Sequence, residues 1–182
     1  MSAGLVRGAV QAVLEPVEPR WALAVPAVVV AGESDGAAAA LVAARIVRAL
    51  AALGLPPRAL VVTARARQGS VLDADEATLA ANEPARLLSA AGASPVHWLR
   101  AHPASVSEAL RGLAGSLEPD RPLVIVGALA LAVLEPRLSV LVTGPASVRS
   151  DPQARAVERL FTVSLADPSD LLVAGLARLL AS

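Results

Sequence analysis

Short runs of β-branched and aliphatic residues alternate along this chain with longer segments rich in alanine, leucine and arginine. Short continuous apolar runs are typical of strands that helices cover on both faces, and the longer segments have the spacing of amphipathic helices. The predicted strands are Ala27–Ala31, Leu60–Thr63, Val96–Leu99, Leu123–Val126, Ser139–Thr143 and Phe161–Leu165. The predicted helices are Gly36–Leu53, Asp75–Ala91, Ser105–Leu117, Asp151–Arg159 and Pro168–Ala181.

This alternation constrains the fold. Strands followed by helices over short connections form right-handed crossover units, which assemble into parallel sheets. We therefore expect an α/β fold, a three-layer, doubly wound, mostly parallel sheet of about six strands with helices on both faces. Residues 1–20 are expected to form a short N-terminal helix and lead-in, and residues 21–182 a single domain.

The predicted helices also have start signals and expected buried faces. Ser105, three residues before Glu108, has the spacing of a capping box, and Asp167 before Pro168 is a typical N-cap. The residues expected on the buried faces are Leu41, Ile46 or Val47, Leu50 and Leu53 in the first helix, and Leu171, Leu172, Leu176, Leu179 and Leu180 in the last.

Charge and composition exclude several classes of function. Sixteen basic residues balance sixteen acidic ones, whereas nucleic-acid binders usually carry a basic excess, so we expect no nucleic-acid partner. Cysteine is absent, which removes disulfides, thiolate metal sites and cysteine nucleophiles. All sixteen basic residues are arginine, so no lysine is present to bind phosphate or to form a Schiff base.

The high mean hydropathy of +0.59 raises the question of a membrane protein. The longest uncharged stretches, Trp21–Gly32, Leu87–Leu99 and Pro122–Leu134, are all shorter than the ~20 residues that a membrane-spanning helix needs. The N-terminal segment has no apolar core followed by a cleavage site. We therefore expect a cytoplasmic protein without a membrane partner, whose apolar residues lie in buried strands.

The segment that follows the first long strand is the main candidate site. In open α/β sheets, ligands bind beyond the carboxyl ends of the strands, and the first strand–helix loop commonly holds phosphate. Here the strand runs into Gly-Glu-Ser-Asp-Gly at residues 32–36 and then into a start of four alanines. Backbone N–H groups at a helix start can hold an anion, whereas Glu33 and Asp35 oppose a triphosphate.

A P-loop requires a lysine and a hydroxyl at fixed distances from its first glycine. With Gly32 as that glycine, the second glycine falls at Ala37, the lysine at Ala38 and the hydroxyl at Ala39. Every side chain that would touch the terminal phosphates or Mg²⁺ is therefore replaced by a methyl group.

The stretch Val28–Leu41, followed by Leu60–Thr63, resembles the P-loop nucleotide-binding proteins. Within them it is similar to the small accessory GTPases of molybdopterin-guanine dinucleotide synthesis and to the related lipid A disaccharide kinase. Of their loop Gly-x-Ser-x-x-Gly-Lys-Thr-Thr-Leu, this chain has Gly32, Ser34 and Leu41. The resemblance implies that residues 21–182 form a P-loop-like α/β domain whose phosphate chemistry is degenerate.

The resembled families place an acidic residue at the end of a second hydrophobic strand, where it binds Mg²⁺ directly or through water. The corresponding strand here, Leu123–Val126, runs into Gly127–Ala130, and no carboxylate follows before Glu135. Both halves of the triphosphate–magnesium machinery are missing together. The sequence leaves enzyme activity open but favours its absence, and we expect no catalytic residue, no metal and no cofactor.

Two charged clusters each have two interpretations. Arg65 and Arg67 follow the second strand and could bind a phosphate or carboxylate, or could pair with Asp73, Asp75 and Glu76 in a solvated loop, which the sequence favours. The acidic cluster comprises Asp73, Asp75, Glu76 and Glu83. It could hold Mg²⁺ or could supply negative charge at a helix start, and the sequence favours the helix start.

Four further residues complete the candidates. His97 lies within a predicted strand and is expected to be a buried or interfacial histidine, whereas His102 at the strand exit is better placed for ligand contact. Thr143 and Gly144 follow another strand, as a loop near the ligand or as a plain turn before the next helix, which the sequence slightly favours. The candidate anion- or nucleotide-binding residues are Gly32, Glu33, Ser34, Asp35, Gly36, Ala37, Ala38, Arg65, Arg67, Thr143 and Gly144.

Two functions follow from these patterns. The first is a non-hydrolysing, P-loop-like accessory or scaffold subunit that acts through protein–protein contacts, as a homo- or hetero-oligomer with an active paralogue or with a metallo-cofactor enzyme of the molybdopterin type. The second is a nucleotide- or phosphometabolite-binding enzyme that uses backbone amides and arginines in place of the lysine.

Overall fold

A computed structural model describes residues 13–33, 36–144, 151–166 and 169–182. The strands are β1 (Trp21–Ala22), β2 (Ala27–Gly32), β3 (Arg58–Ala64), β4 (Ser70–Asp73), β5 (Val96–Ala101), β6 (Leu123–Val126), β7 (Leu134–Glu135), β8 (Leu138–Val142) and β9 (Val163–Leu165). The α-helices are α1 (Gly36–Ala52), α2 (Glu76–Ala80), α3 (Glu83–Ala90), α4 (Val106–Ala114), α5 (Pro152–Ala156) and α6 (Asp170–Ala181). Short 3₁₀ helices are formed by Pro103–Ser105, Ala128–Ala132 and Glu158–Leu160.

The main sheet, as far as the chain is described, has seven strands in the order β4-β5-β3-β6-β2-β8-β9. Its strands pair in parallel, except that β4 pairs antiparallel with β5 at one edge. A separate parallel pair joins β1 to β7. The predicted mostly parallel, doubly wound sheet is thereby confirmed.

Helices cover both faces of the sheet and produce two apolar layers. On the first face, Val28 and Val30 of β2 pack beneath α1, α3 and α6. On the second face, Val29 and Ala31 pack against α4 and the 3₁₀ helix Ala128–Ala132. Every residue of β2 is buried, which explains why its sequence is a continuous apolar run rather than an alternating one.

Several predicted elements differ from the structure. The predicted helix over 75–91 is two helices, because the side chain of Asn82 accepts a hydrogen bond from the Ala85 N–H (2.8 Å) and starts α3 afresh. The edge strand β4 was not predicted, since its partly exposed residues give no continuous apolar run. The N-cap of α6 is Ser169, whose Oγ accepts a hydrogen bond from the Leu172 N–H. The N-cap predicted at Asp167, before Pro168, lies outside the described residues.

The predicted buried leucine faces are only partly correct. In α1, Ile46, Val47 and Leu50 are buried, but Leu41 and Leu53 are 56% and 47% exposed, because alanines fill the rest of the buried face. The buried arc of α6 comprises Val173, Leu176, Ala177 and Leu180. This arc repeats at i, i+3, i+4 and i+7, so the remaining leucines of α6 lie on the side away from the core. Those exposed leucines are Leu171, Leu172 and Leu179.

The capping box predicted at Ser105 does not form. A 3₁₀ turn precedes α4, and its cap is His102, whose Nδ1 accepts a hydrogen bond from the Ala104 N–H at 3.2 Å. The Oγ of Ser105 instead accepts from the Gly69 N–H at 3.2 Å, which ties the loop after β3 to the start of α4.

The N-terminal segment is held across the second face of the sheet. Residues 1–12 of the predicted N-terminal helix lie outside the described residues, and residues 13–20 are not helical. The buried amide of Gln153 donates to the Leu14 carbonyl and accepts from the Leu14 N–H, both at 2.8 Å. The Val17 N–H donates to the Ala132 carbonyl. Among the described residues, no helix is long and apolar enough to cross a bilayer.

Candidate functional site

The sheet topology places its ligand-binding crevice at the carboxyl ends of β2 and β6. These strands are neighbours, yet β2 continues through α1 on the first face to reach β3, whereas β6 continues through Ala128–Ala132 on the second face to reach β8. Adjacent strands whose connections leave on opposite faces define the switch point at which open α/β sheets bind ligands. Gly32, the last residue of β2, therefore lies at this switch point.

The described part of this loop is held by backbone hydrogen bonds. The Glu33 N–H donates to the Val142 carbonyl at 3.0 Å, and the Glu33 carbonyl accepts from the Asp151 N–H at 2.6 Å. Gly32 is buried at the end of β2 and pairs with Val142 of β8. The candidates Ser34 and Asp35 lie outside the described residues, so the prediction that they bind an anion is not tested by the structure.

At the start of α1, the two positions at which a P-loop would carry its lysine and its hydroxyl differ in exposure. Gly36, Ala37 and Ala38 are exposed, whereas Ala39 is 1% exposed and belongs to the apolar layer on the first face. A side chain at residue 38 therefore reaches solvent, while a side chain at residue 39 enters the core. The helix start presents methyl groups on both sides, and the chain has no lysine.

The exit of β6 is closed by glycine and apolar residues. Gly127 has φ +131°, and its N–H donates to the Val30 carbonyl at 3.0 Å. A Cβ atom there would lie 2.2 Å from the carbonyl oxygen of Val62, so β3 approaches this backbone too closely for any side chain. The following turn, Ala128–Ala132, is completely buried. The need for glycine at residue 127 was not predicted from the sequence, although a glycine directly after a buried strand was a signal for it.

The loop arginines lie near the site but outside its centre. The Arg65 N–H donates to the Ala101 carbonyl, which places this residue at the exit of β3. β3 lies two strands from β2, about 10 Å away at the usual interstrand spacing. Within the described ranges, neither the Arg65 nor the Arg67 guanidinium forms an ion pair, so the favoured prediction that they pair with Asp73, Asp75 and Glu76 is wrong.

Asp73, one of the acidic partners expected for those arginines, is engaged elsewhere. Its Oδ2 accepts from Nε and Nη2 of Arg100 at 3.1 and 2.7 Å, and that guanidinium lies 4.7 Å from the centre of the Trp98 ring. The Trp98 indole N–H donates to the Thr63 hydroxyl at 2.9 Å. The Asp73–Arg100 contact joins the edge strand β4 to β5, and the Trp98–Thr63 hydrogen bond joins β5 to β3. The Asp73 carboxylate is therefore engaged in a structural contact within the chain.

The remaining acidic residues form helix starts, which confirms the interpretation that the sequence favoured. Asp75 is the N-cap of α2 and accepts from the Thr78 N–H at 2.9 Å, and its hydrogen bonds to Thr78 hold the pKa of its carboxyl below the usual value. Glu76 and Glu83 lie in the first turns of α2 and α3. In the part of the chain that is described, no three His, Asp or Glu side chains come together as metal ligands.

The remaining candidates have backbone or capping roles. His102 caps the turn before α4, as described above. Thr143 continues the pairing of β8 with β9, since its N–H donates to the Leu165 carbonyl at 2.8 Å. Gly144 is exposed, and residues 145–150 lie outside the described part. His97 is half-buried in β5, and burial, with a smaller effect of the Arg58 charge, lowers the pKa of its imidazole.

This lowered pKa predicts a dependence of stability on pH. Because the folded state disfavours protonated His97, the unfolded chain binds more protons below the usual pKa of 6.5, and stability falls as the pH drops through that value. We expect the free energy of unfolding, measured by urea denaturation between pH 7.5 and pH 5, to fall less in His97→Gln than in the wild type. Equal slopes in the two proteins would contradict this assignment.

Comparison with known proteins identifies no family for this chain. Neither a protein-family model nor a curated protein sequence matches it. Among solved structures, it is similar to the crystal structure of the "apo" form of LpxK from Aquifex aeolicus in complex with ATP, with a TM-score of 0.44 and 18% sequence identity. The similarity covers 76% of this chain and 47% of that one, so the chain spans about half the length of that protein.

Proposed function

We propose that this chain is a non-hydrolysing, P-loop-like α/β domain that serves in the cytoplasm as an accessory or scaffold subunit through protein–protein contacts. The observation that carries the proposal is the start of α1, at the switch point of the sheet. There the lysine position, Ala38, is an exposed methyl group and the hydroxyl position, Ala39, is packed in the core.

Electrostatics at this loop oppose a bound triphosphate. Phosphate sites of this type combine backbone N–H groups with a cation, and here the cation is absent while Glu33 adds a negative charge. Two like charges about 6 Å apart repel by about 3 kcal/mol at an effective dielectric constant of 20. The exit of β6, where the resembled families bind magnesium through a carboxylate, supplies only Gly127 and buried alanine and leucine.

Exposed apolar residues support a role in protein contacts. Leu41, Leu171, Leu172 and Leu179 are all more than 40% exposed, and they lie on α1 and α6, which pack against one another. Exposed leucines grouped on two helices that pack together support an interaction site on this part of the protein. The resemblance suggests the kind of partner, namely an active paralogue or a metallo-cofactor enzyme of the molybdopterin type.

A second candidate function is a nucleotide- or phosphometabolite-binding enzyme. The observation that favours it is the state of Arg65 and Arg67, whose guanidinium groups form no ion pair within the described ranges. A guanidinium binds phosphate bidentately, so these two residues could replace the missing lysine from the exit of β3.

Titration with fluorescent Mg-GTP and Mg-ATP analogues separates the two functions. For the accessory subunit, we expect no saturable binding below about 1 mM, in the wild type and in the Arg65→Ala and Arg67→Ala variants alike. Micromolar binding that weakens at least about tenfold in either variant would instead establish the second function. The matched control is Arg48→Ala, which removes an exposed arginine of α1 and should leave any such binding unchanged.

A further inference from the structure

Helix α6 carries an apolar face that the described chain leaves uncovered. Leu171 is 87% exposed and Leu179 is 55% exposed, although the opposite side of the same helix is buried against the core. Leu172 adds to this face at 41% exposed, and Gly175 lies exposed between the leucines. Leaving leucine in water has a cost that burial against a partner would remove, which points to an interaction surface.

The arrangement of this face is symmetric about Gly175. Leu171 precedes this glycine by four residues and Leu179 follows it by four, so all three lie on one stripe of the helix. If a second copy of α6 packs antiparallel with Gly175 at the crossing point, Leu171 of each copy meets Leu179 of the other. A two-fold interface requires such self-complementarity. A Cβ at Gly175 would touch nothing within the chain, so space is open there for a second helix.

The charges at the two ends of α6 fit the same arrangement. Asp170 lies at the N-terminal end and Arg178 near the C-terminal end, where each complements the helix dipole. In an antiparallel pair centred on Gly175, Arg178 of one copy lies within side-chain reach of Asp170 of the other. The Asp170 side chain is 95% exposed, even though its Oδ1 bonds to Arg45 at 2.5 Å.

We propose that α6 is a homodimer interface, occupied by α6 of a second copy of this chain packed antiparallel across a two-fold axis at Gly175. This inference rests on the proposed function in one respect, since it names the first partner of an accessory subunit that acts through protein contacts. The proposal specifies the register of the two helices, so it can be tested by mixing two variants with complementary substitutions.

The experiment measures the mass of the full chain in solution by analytical ultracentrifugation. We expect the wild type to be a dimer, and both Leu171→Arg and Leu179→Glu to raise the dimer dissociation constant at least about tenfold. When the two variants are mixed in equal amounts, the introduced arginine of one copy faces the introduced glutamate of the other in one contact, and the natural leucines meet in the second. The mixture should therefore recover the dimer mass, while each variant alone remains monomeric.

Two further variants keep the test independent of folding. Gly175→Leu has room within the chain and should leave thermal unfolding of the monomer intact, but it should abolish the dimer by blocking the crossing point. Leu72→Arg is the matched control, because Leu72 is 47% exposed on β4 at the opposite edge of the sheet, and it should leave the dimer unchanged.

A monomeric wild type, a dimer that survives Leu171→Arg, or a mixture that stays monomeric would each overturn the proposal. These outcomes are distinct from failure of the accessory function, which micromolar Mg-nucleotide binding would show whatever the mass of the protein. A monomer that also fails to bind nucleotide overturns the dimer alone and leaves the accessory function with a different partner.

Discussion

Replacing Gly127 by alanine is expected to lower the free energy of unfolding by about 3–5 kcal/mol. The added Cβ would lie 2.2 Å from the carbonyl oxygen of Val62, and φ at this residue is +131°, a conformation that alanine rarely adopts. The clash is with backbone, so relief requires moving β3 away from β6, against the pairing of Val61 with Val126. Equilibrium urea denaturation at pH 7.5 measures the loss.

Gly112→Ala is the matched control for this substitution. Gly112 lies inside α4, and a Cβ there would meet nothing within 4 Å. Alanine has the better helix propensity, so this variant should be more stable than the wild type by about 0.5–1 kcal/mol. If Gly127→Ala stays within about 1 kcal/mol of the wild type, the β6 exit is not closed by this contact and could accommodate a side chain.

The second large effect is expected at Ala39. Ala39→Thr would place a hydroxyl and a methyl group in the packed layer beneath α1, where Ala39 is 1% exposed. We expect this variant to lower the free energy of unfolding by about 2 kcal/mol. Lysine at the exposed Ala38 should change stability by less than about 0.5 kcal/mol. Thermal and urea unfolding of the two single variants make the comparison.

The contrast between these neighbours tests whether the P-loop hydroxyl position has become part of the core. A core position can no longer direct a hydroxyl at Mg²⁺, whereas an exposed position could still accept a lysine. Threonine at residue 39 without loss of stability would show that this position still faces the crevice, and the structural basis of the proposed function would then be wrong.

The fold could be predicted because its central strands β2 and β6 are buried on both faces. The run at β6 was predicted with its observed bounds, and β2 differed by a single residue, since continuous burial of strands such as these leaves a continuous apolar signal in the sequence. The edge strand β4 could not be found in this way, because one side faces solvent and Asp73 ends it. Its position is set by antiparallel backbone pairing with β5, and the contact of Asp73 with Arg100 adds to this pairing, so both connect residues from different segments of the chain.

The exposed leucines of α6 show a different limit. Leucine at helical spacing indicates an apolar stripe but does not say which of two stripes faces the core. On α6 the buried stripe includes Val173 and Ala177, and the outward one carries Leu171 and Leu179. The choice is made by packing against the sheet and α1, with which Val173, Leu176, Ala177 and Leu180 share one apolar layer.

The place of the candidate loop in the fold was predictable, whereas the packing of the residues around it was not. The strand–loop–helix order placed the loop after β2 at the carboxyl edge, but no local pattern indicated that Gly127 packs against Val62 or that Ala39 enters the core. Both features depend on contacts between segments distant along the chain. The helix starts at Asp75 and Glu83 were predictable, since capping is local.

The central claim, that this P-loop-like domain does not hydrolyse nucleotides, is tested most directly by phosphate release. The measurement is the steady-state rate of inorganic phosphate formation from Mg-GTP and from Mg-ATP by the purified full chain. We predict a rate equal to that of buffer with magnesium and nucleotide alone, at every protein concentration. A rate that rises in proportion to protein concentration, follows the protein through gel filtration and falls in Arg65→Ala would contradict the proposed function.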